Sequence, residues 1–482
     1  MEIDSQKKRN MVLSTPDSKM ALTACVGAAA AATAVTLRMM KKKNFSGTAQ
    51  KNKDTDDDKA IMTSIVELTE FDSNVMVFPP ITSLTWFSGD YKQAKMTLEH
   101  RMNLILEKNP WLQGEITKTS KGYNLCYPNP ASSKTHIKVE GHLVTVEEDK
   151  SPISRDTPTE KLGSLLSAFH MQNTNLFLEN GTRKCIFRAV IIPCRKKCNS
   201  SFALVFQLNH AVGDGATYYK LLHMLCSIQE ECIVPLNPIR DTGYKEKAIA
   251  RLGKKEKAFQ AGTAKMLFFM WGLFKAIPFY DPLSTAHRLQ YAYLNPSKIK
   301  EAKADAMQKQ EQGIHTNAIV PFVSTNDIIT SWFMRETQCD YGDIVINMRG
   351  RLEGITDVSA GNYQCMIAYH KKDFETPMLI RKSVQNFKRV ITGKEGIPGA
   401  FAYVRSRVAL VSNWSSLAKP AFIKDCQEEF HVPINIRTSY WSGLFPSAMS
   451  VLLIFRAGPG KIGITVYHPN NTNLASEAPF VI

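Results

Sequence analysis

The segment Ser201–Gly215 constrains this chain more than any other. Ser201–Leu208 is an apolar run of strand length closed by Gln207-Leu208. Within seven residues the pattern becomes helical, with Tyr218, Leu221, Leu222 and Leu225 on one face of Ala216–Ile228. A second apolar run, Lys184–Pro193, precedes it. A buried strand, a short turn and an amphipathic helix in this order predict an α/β fold. Between strand and helix stands Asn209-His210-Ala211-Val212-Gly213-Asp214-Gly215. The 482 residues suffice for two or three domains. With 44% hydrophobic and 22% charged residues, the composition is that of a globular protein and excludes a disordered or collagen-like chain.

Beyond that segment the organisation is read from pattern. Met20–Leu37 is Ala-rich and uncharged over 18 residues, which just reaches the length of a membrane span. Four basic residues lie on each side, so orientation stays open, as does the choice between a membrane anchor on a cytosol-facing protein and an organelle-targeting peptide. Residues 44–60 are polar and mix both charge signs, as a linker does. The folded body is expected to start at Met62. Residues 1–61 then form a tail and linker, 62–235 a first domain, 236–315 a crossover and 316–482 a second domain. In the first domain, helices are expected at Ala94–Glu107 and Lys161–His170, and a strand at Lys138–Glu148. Asn317–Asn347 reads as strand, helix and strand. The crossover holds a basic stretch, Lys245–Lys265, followed by the apolar run Met266–Phe279, which is too short to span a bilayer and reads as a core or interfacial helix. The ten cysteines are scattered, as reduced thiols are; Cys194 and Cys198 lack a second ligand pair, so no zinc or other metal is expected.

The net charge of +16, from 60 Lys plus Arg against 44 Asp plus Glu, suits an anionic partner. No interleaved aromatic and basic platform or zinc module supports nucleic acid. Gly458-Pro459-Gly460-Lys461-Ile462-Gly463 fits a dinucleotide fingerprint in letters, but strand-like runs flank it on both sides, so its glycines turn a hairpin. P-loop, zinc-protease and nucleophile-elbow motifs are missing.

His210 is the sharpest functional candidate. It ends a buried strand at the turn into a helix, where α/β folds present reactive side chains. A neutral imidazole there can take a proton at physiological pH. Asp214 can fix the turn, and Gly215 is expected to permit an unusual backbone angle.

The H-x-x-x-D-G of His210, Asp214 and Gly215 resembles the superfamily of CoA-dependent acyltransferases, which includes BAHD acyltransferases, chloramphenicol acetyltransferase, condensation domains and wax ester synthases. Phe322–Ile329 and Asn347-Met348-Arg349-Gly350-Arg351-Leu352 with Gly361-Asn362-Tyr363 resemble further BAHD landmarks in the same order, and Asn109–Gly114 resembles the end of the family's first helix. Two departures stand out. Asp425-Cys426-Gln427-Glu428-Glu429 occupies the place of the BAHD D-F-G-W-G motif, and Asn209 stands where condensation domains and wax ester synthases double the histidine.

The resemblance implies two chloramphenicol-acetyltransferase-like α/β domains with the active site at their interface. It implies acyl-CoA as co-substrate, no tightly bound cofactor, and an alcohol or amine acceptor. His210 would be the general base. Asp214 would point away from it and pair with Arg349 or Arg351. Gly215 and Asn362 would be structural members of the motif, and Asn413, Ser412 and Thr325 are candidate oxyanion donors. Arg183, Lys184, Lys254, Lys255 and Lys257 are candidates for the CoA entrance or for solvated surface. A monomer is expected. Two other readings stay open: a membrane-associated enzyme making wax or acylglycerol esters, and an inactive binding protein of the same fold.

Overall fold

A computed structural model describes residues 62–76, 78–120, 122–129, 139–171, 185–194, 200–258, 289–314, 318–393, 395, 406–434, 449–468 and 473–482. The segments 20–37 and 266–279 lie outside the described residues; among the latter, no helix is long and apolar enough to cross a membrane.

Three sheets organise these residues. Strands β1 (Met62–Glu67), β3 (Glu115–Lys118) and β4 (Tyr123–Pro128) make a small one in the order β1-β4-β3. A five-stranded sheet is built from β2 (Ile81–Ser88), β5 (Leu143–Thr145), β6 (Phe187–Pro193), β7 (Ser201–Leu208) and β12 (Gln427–Pro433), in the order β12-β2-β7-β6-β5. The six-stranded sheet runs β10-β9-β11-β13-β14-β8. Its strands are β8 (Leu289–Tyr293), β9 (Tyr341–Asn347), β10 (Gln364–His370), β11 (Val408–Asn413), β13 (Met449–Gly458) and β14 (Lys461–Tyr467). β8 lies within 236–315 yet closes the edge of the six-stranded sheet. β12 lies within 316–482 yet completes the five-stranded one.

β7 is the central strand of its sheet, and every residue from Phe202 to Leu208 is buried, as its unbroken apolar run requires. Helix α1 (Glu70–Val75) carries a capping box of Thr69 and Asp72. Helix α2 (Tyr91–Lys108) buries Ala94, Leu98, Arg101, Met102, Ile105 and Leu106 at helical spacing. It ends at Asn109 because Pro110 cannot continue it. Helix α3 covers Thr159–Leu165. Helix α4 (Gly215–Leu225) packs on the sheet through two tyrosines. Tyr218 Oη donates to the Phe206 carbonyl at 2.9 Å, and Tyr219 Oη lies 3.0 Å from His431 Nε2 on β12. Arg101 of α2 donates to the Met224 and Gln229 carbonyls, satisfying orphan acceptors at and beyond the end of α4.

Helices α5 (Tyr244–Leu252) and α6 (Pro296–Glu311) follow in the crossover. The second half adds α7 (Thr325–Glu336), capped by Ser324 and Asp327, and α8 (Pro377–Asn386), whose Arg381 pairs with Asp327 at 2.6 Å. Ile344, Ile346, Val411, Leu452 and Ile454 form a core with Ile329 and Phe333 of α7.

Three elements differ from expectation. Of the strand expected at Lys138–Glu148 only Leu143–Thr145 forms, preceded by a 3₁₀ turn at Val139–Gly141. The helix expected over Lys161–His170 stops at Leu165 and passes into a 3₁₀ turn at Ser167–Phe169. No strand opens the Asn317–Asn347 unit within 318–323. There the Gln310 side chain bonds both the N–H and the carbonyl of Val320, at 2.9 and 3.0 Å, and so occupies the groups a ladder would use. The Gly458–Gly460 segment is the hairpin expected, with Gly458 and Gly460 at φ 149° and 67° between antiparallel β13 and β14.

Candidate active site

The turn Asn209–Asp214 leaves β7 at the edge of the first half and is held from two sides. Asn209 Oδ1 accepts from the Ala211 N–H at 3.0 Å, closing an Asx turn. Asp214 caps α4, its Oδ1 accepting from the Thr217 N–H at 3.0 Å. Its Oδ2 accepts from Arg349 Nη1 at 2.8 Å and from the Tyr363 N–H at 3.0 Å. Arg349 and Asp214 are each 3% exposed, so the pair is fully desolvated. Burial alone would raise the Asp214 carboxyl; the Arg349 guanidinium and the two N–H donors overcome it and hold the group below the usual carboxylate range. Arg349 also donates to the Ser359 and Gly361 carbonyls and to Thr217 Oγ1. Thus the arginine that pairs with Asp214 is Arg349. Arg351 lies away from the turn, exposed, with its guanidinium 5.3 Å from the Phe387 ring centre.

A second buried arginine supports the same turn. Arg240 donates through Nη2 to the Ala211 and Val212 carbonyls at 3.4 and 3.3 Å, and through Nη1 to the Ala360 carbonyl at 2.9 Å. Its Nε pairs with Asp72 Oδ2 at 2.9 Å. Asp72 is 0% exposed and sits on α1, far away in sequence. Asn362 completes the cradle. Its Nδ2 donates to Asp72 Oδ1 and to the His210 carbonyl, both at 2.8 Å.

His210 stands at the centre of these contacts. The Phe78 ring is 6.1 Å from its imidazole, tilted by 45°. Burial pushes the imidazole below its ordinary pKa, against the pull of its own carbonyl, Asp214, Asn362 and Asp72. A neutral imidazole at neutral pH can accept a proton. Asp214 is not hydrogen-bonded to the ring; its carboxylate oxygens are spent on Thr217, Tyr363 and Arg349.

The glycines serve close approach rather than an unusual backbone angle. Gly215 is absent from the residues of positive φ. A Cβ there would meet Trp414 Nε1 at 3.3 Å, so the glycine lets the Trp414 indole lie against the start of α4. A Cβ on Gly213 would stand 2.8 Å from Thr217 Cβ. Gly361 does require glycine backbone, at φ 141°, and a Cβ there would stand 3.0 Å from the Arg240 guanidinium.

The three oxyanion candidates stand at the ends of β11 and α7. Ser412 Oγ accepts from Trp414 Nε1 at 3.0 Å, which leaves its own O–H to donate elsewhere. Asn413 is committed to structure: its Oδ1 accepts from Ser415 N–H and Oγ, and its Nδ2 donates to Asn326 Oδ1 at 3.0 Å. Thr325 begins α7 next to Asn326, half-buried. Among the basic candidates, Lys254 and Lys255 are exposed and Lys257 is half-buried; Arg183 and Lys184 lie outside the described residues.

Asp72, Arg240, Phe78 and Trp414 were not named as site residues from sequence. The only local trace of Asp72 is the T-x-x-D box that caps α1, which signals a helix start and nothing more.

No family model matches the chain, and no curated protein does. Solved structures do. TRI101 of F. sporotrichioides, complexed with coenzyme A and T-2, is similar at 13% identity with a TM-score of 0.50, over 87% of this chain and 99% of that one. TRI101 of F. graminearum, complexed with coenzyme A and deoxynivalenol, is similar at 10% identity with a TM-score of 0.53, over 85% and 96%. The chain therefore has the two-domain α/β fold of these TRI101 structures.

Proposed function

We propose that the chain transfers an acyl group from acyl-CoA to a hydroxyl or amine acceptor, with His210 as general base. The observation that carries this reading is the half-buried His210 imidazole just beyond β7, its Nδ1 buried, on a turn clamped by Asp214–Arg349 and Arg240. In the proposed reaction, His210 Nε2 takes the acceptor proton as the acceptor oxygen or nitrogen bonds to the thioester carbonyl carbon. The tetrahedral oxyanion needs a donor at hydrogen-bond distance, and Ser412 and Thr325 are the candidates with a hydroxyl proton to give. Collapse breaks the C–S bond, and the imidazolium returns its proton to the CoA thiolate. Asp214 is a scaffold in this scheme. CoA is a substrate that leaves, and the basic surface, including Lys254 and Lys255, suits its phosphates.

The purified full chain, incubated with a panel of acyl-CoAs and small-alcohol, amine and lipid acceptors, should release free thiol only when an acceptor is present. His210→Ala should lower that rate by about 10²–10⁴-fold with an unchanged circular dichroism spectrum. Retained turnover in the folded variant would remove His210 from the mechanism. Lack of thiol release with every acceptor class would remove the reading itself.

A further inference from the structure

Asp343 sits in the middle of the six-stranded sheet, 1% exposed, and neither of its carboxyl oxygens has a hydrogen-bond partner among the described residues. The face it occupies follows from its neighbours. A Cβ on Gly342 would collide with Met334 of α7, and Ile344 belongs to the core on that side. Side chains alternate along a strand, so Asp343 projects from the opposite face. Its cross-strand partners there are Ala368 of β10 and Leu410 of β11. This face is turned toward the five-stranded sheet, and Phe455 and Ala457 of β13 seal one part of it against Leu84 and Trp86. Elsewhere it is not sealed. Val345, Met366, Leu410, Val451 and Leu453 are half-buried, whereas Ile344, Ile346, Val411, Leu452 and Ile454 on the α7 side are at most 5% exposed. The apolar strip runs to Ser412, two residues beyond Leu410. Ser412 bonds Trp414 Nε1, and that indole lies against Gly215 at the His210 turn. From the rise along a strand and the spacing between strands, Asp343 and Ser412 stand about 8 Å apart.

We propose that this face binds the acceptor substrate, an apolar molecule carrying a basic nitrogen that Asp343 holds. A carboxyl without a partner among apolar side chains is costly to bury. Burial alone pushes its pKa up to about 8, so the unpaired group keeps a proton at neutral pH. An ammonium restores the charged form as that proton leaves for solvent. It supplies both a counter-charge and N–H donors, whereas a hydroxyl supplies a hydrogen bond alone. The half-buried aliphatic side chains between Asp343 and Ser412 cover the apolar body of the acceptor. Its nucleophilic atom then lies at the Ser412 end, about 8 Å from the basic nitrogen. The role of this molecule as acceptor rests on the acyl-transfer reading above; the amine site does not.

The test uses the full chain and three probes of one carbon length: aminohexanol, hexanol and hexanediol. In titration calorimetry at neutral pH the wild type should bind aminohexanol about 10–100-fold more tightly than either of the others. Asp343→Asn should lose that preference. The same preference should appear in kcat/KM for thiol release from acyl-CoA in the wild type and vanish in the variant. Equal binding of aminohexanol and hexanediol overturns the proposal. So does an aminohexanol affinity that the folded Asp343→Asn protein retains, or no binding of aminohexanol at all. Where the variant does not fold by circular dichroism, the wild-type order of the three probes decides. Asp343-dependent binding of the amine in a protein that transfers no acyl group defeats the reaction reading and leaves the amine site standing. Acyl transfer without preference for the amine does the reverse.

Discussion

At the scale of single residues, burial decides what each charge is worth. Arg349 and Arg351 are two positions apart, and the sequence offered them as equals. In the fold Arg349 lies 2.8 Å from Asp214 and is desolvated with it, whereas Arg351 is exposed against Phe387. Removing one partner of a buried pair costs about 3–5 kcal/mol, because the other charge is left unpaired in low dielectric. Arg349→Ala should therefore lower stability by that order in chemical denaturation and lose most activity. Arg351→Ala should stay within about 0.5 kcal/mol of the parent. Comparable losses in both variants would show that the pairing is not what holds the turn. His210, Asp214 and Gly215 were legible in the sequence because they lie close together and fit a spaced motif, and Asn362 because Gly361-Asn362-Tyr363 resembles a second one. Asp72 and Arg240 were not, because their partners are over a hundred residues distant and an isolated acid or base carries no spacing code.

Asp343 shows the opposite situation. It sits in the middle of β9, 1% exposed, with neither carboxyl oxygen hydrogen-bonded. Burial alone pushes its pKa up to about 8. Between about pH 4, where the unfolded carboxyl ionises, and pH 8, the native state retains a proton that the unfolded chain has released. Its contribution to stability is thus complete below the unfolded pKa and is lost as pH rises through that window, at up to about 1.4 kcal/mol per unit. Buried histidines held below their ordinary pKa, His431 and His170 among them, act in the opposite sense and alike in both proteins, so between pH 5 and pH 8 the urea midpoint of the wild type should fall relative to that of Asp343→Asn. An equal change in the two proteins would show that Asp343 does not hold the proton.

At the scale of elements, the most informative one is β12. Its first three residues, Gln427 to Glu429, belong to the stretch that departs from the BAHD motif. That stretch still turns the chain, with Asp425 at φ 58° and an isolated bridge between Ile423 and Cys426. The strand then pairs antiparallel with β2. Gly89 at the end of β2 is required by this approach, since a Cβ there would stand 2.6 Å from Cys426 Sγ. Glu428 of β12 accepts from Arg456 of β13 at 2.9 Å and from the Ala421 N–H at 3.0 Å, in a site where the side chains are 5% and 13% exposed. Periodicity could identify such strands but could not assign them to a sheet, because β12 reads like any half-buried strand and its partner lies far upstream. Glu428→Ala should cost about 3 kcal/mol and loosen β12 from both neighbours. Amide hydrogen exchange would register this as lost protection in β12, β2 and β13 together; loss confined to β12 would contradict the linkage.

At the scale of the whole molecule, the two large sheets are not independent. Phe455 and Ala457 of β13 pack with Val432 and Ile434 from the β12 region, and with Leu84 and Trp86 of β2. Asp214–Arg349, Arg240–Asp72 and Asn362–Asp72 cross between distant parts of the chain at the site itself. Each of these contacts gains its value from desolvation that only the assembled halves provide, so folding of one half should depend on the other. A fragment ending near residue 258 contains β2, β5, β6 and β7 but lacks β12, leaving β2 with an open edge lined by buried residues. It also leaves Asp214 without Arg349. Expressed alone, residues 62–258 should aggregate or remain uncooperative. Co-expression with residues 289–482 should yield a soluble complex, because that partner returns both the missing strand and the missing guanidinium. Tryptophan fluorescence and far-ultraviolet circular dichroism of the intact chain should accordingly report one coincident unfolding transition. A soluble 62–258 fragment with its own sharp transition would mean that the shared strand and the buried ion pairs are dispensable to the first half, and that the site is assembled from two units already folded.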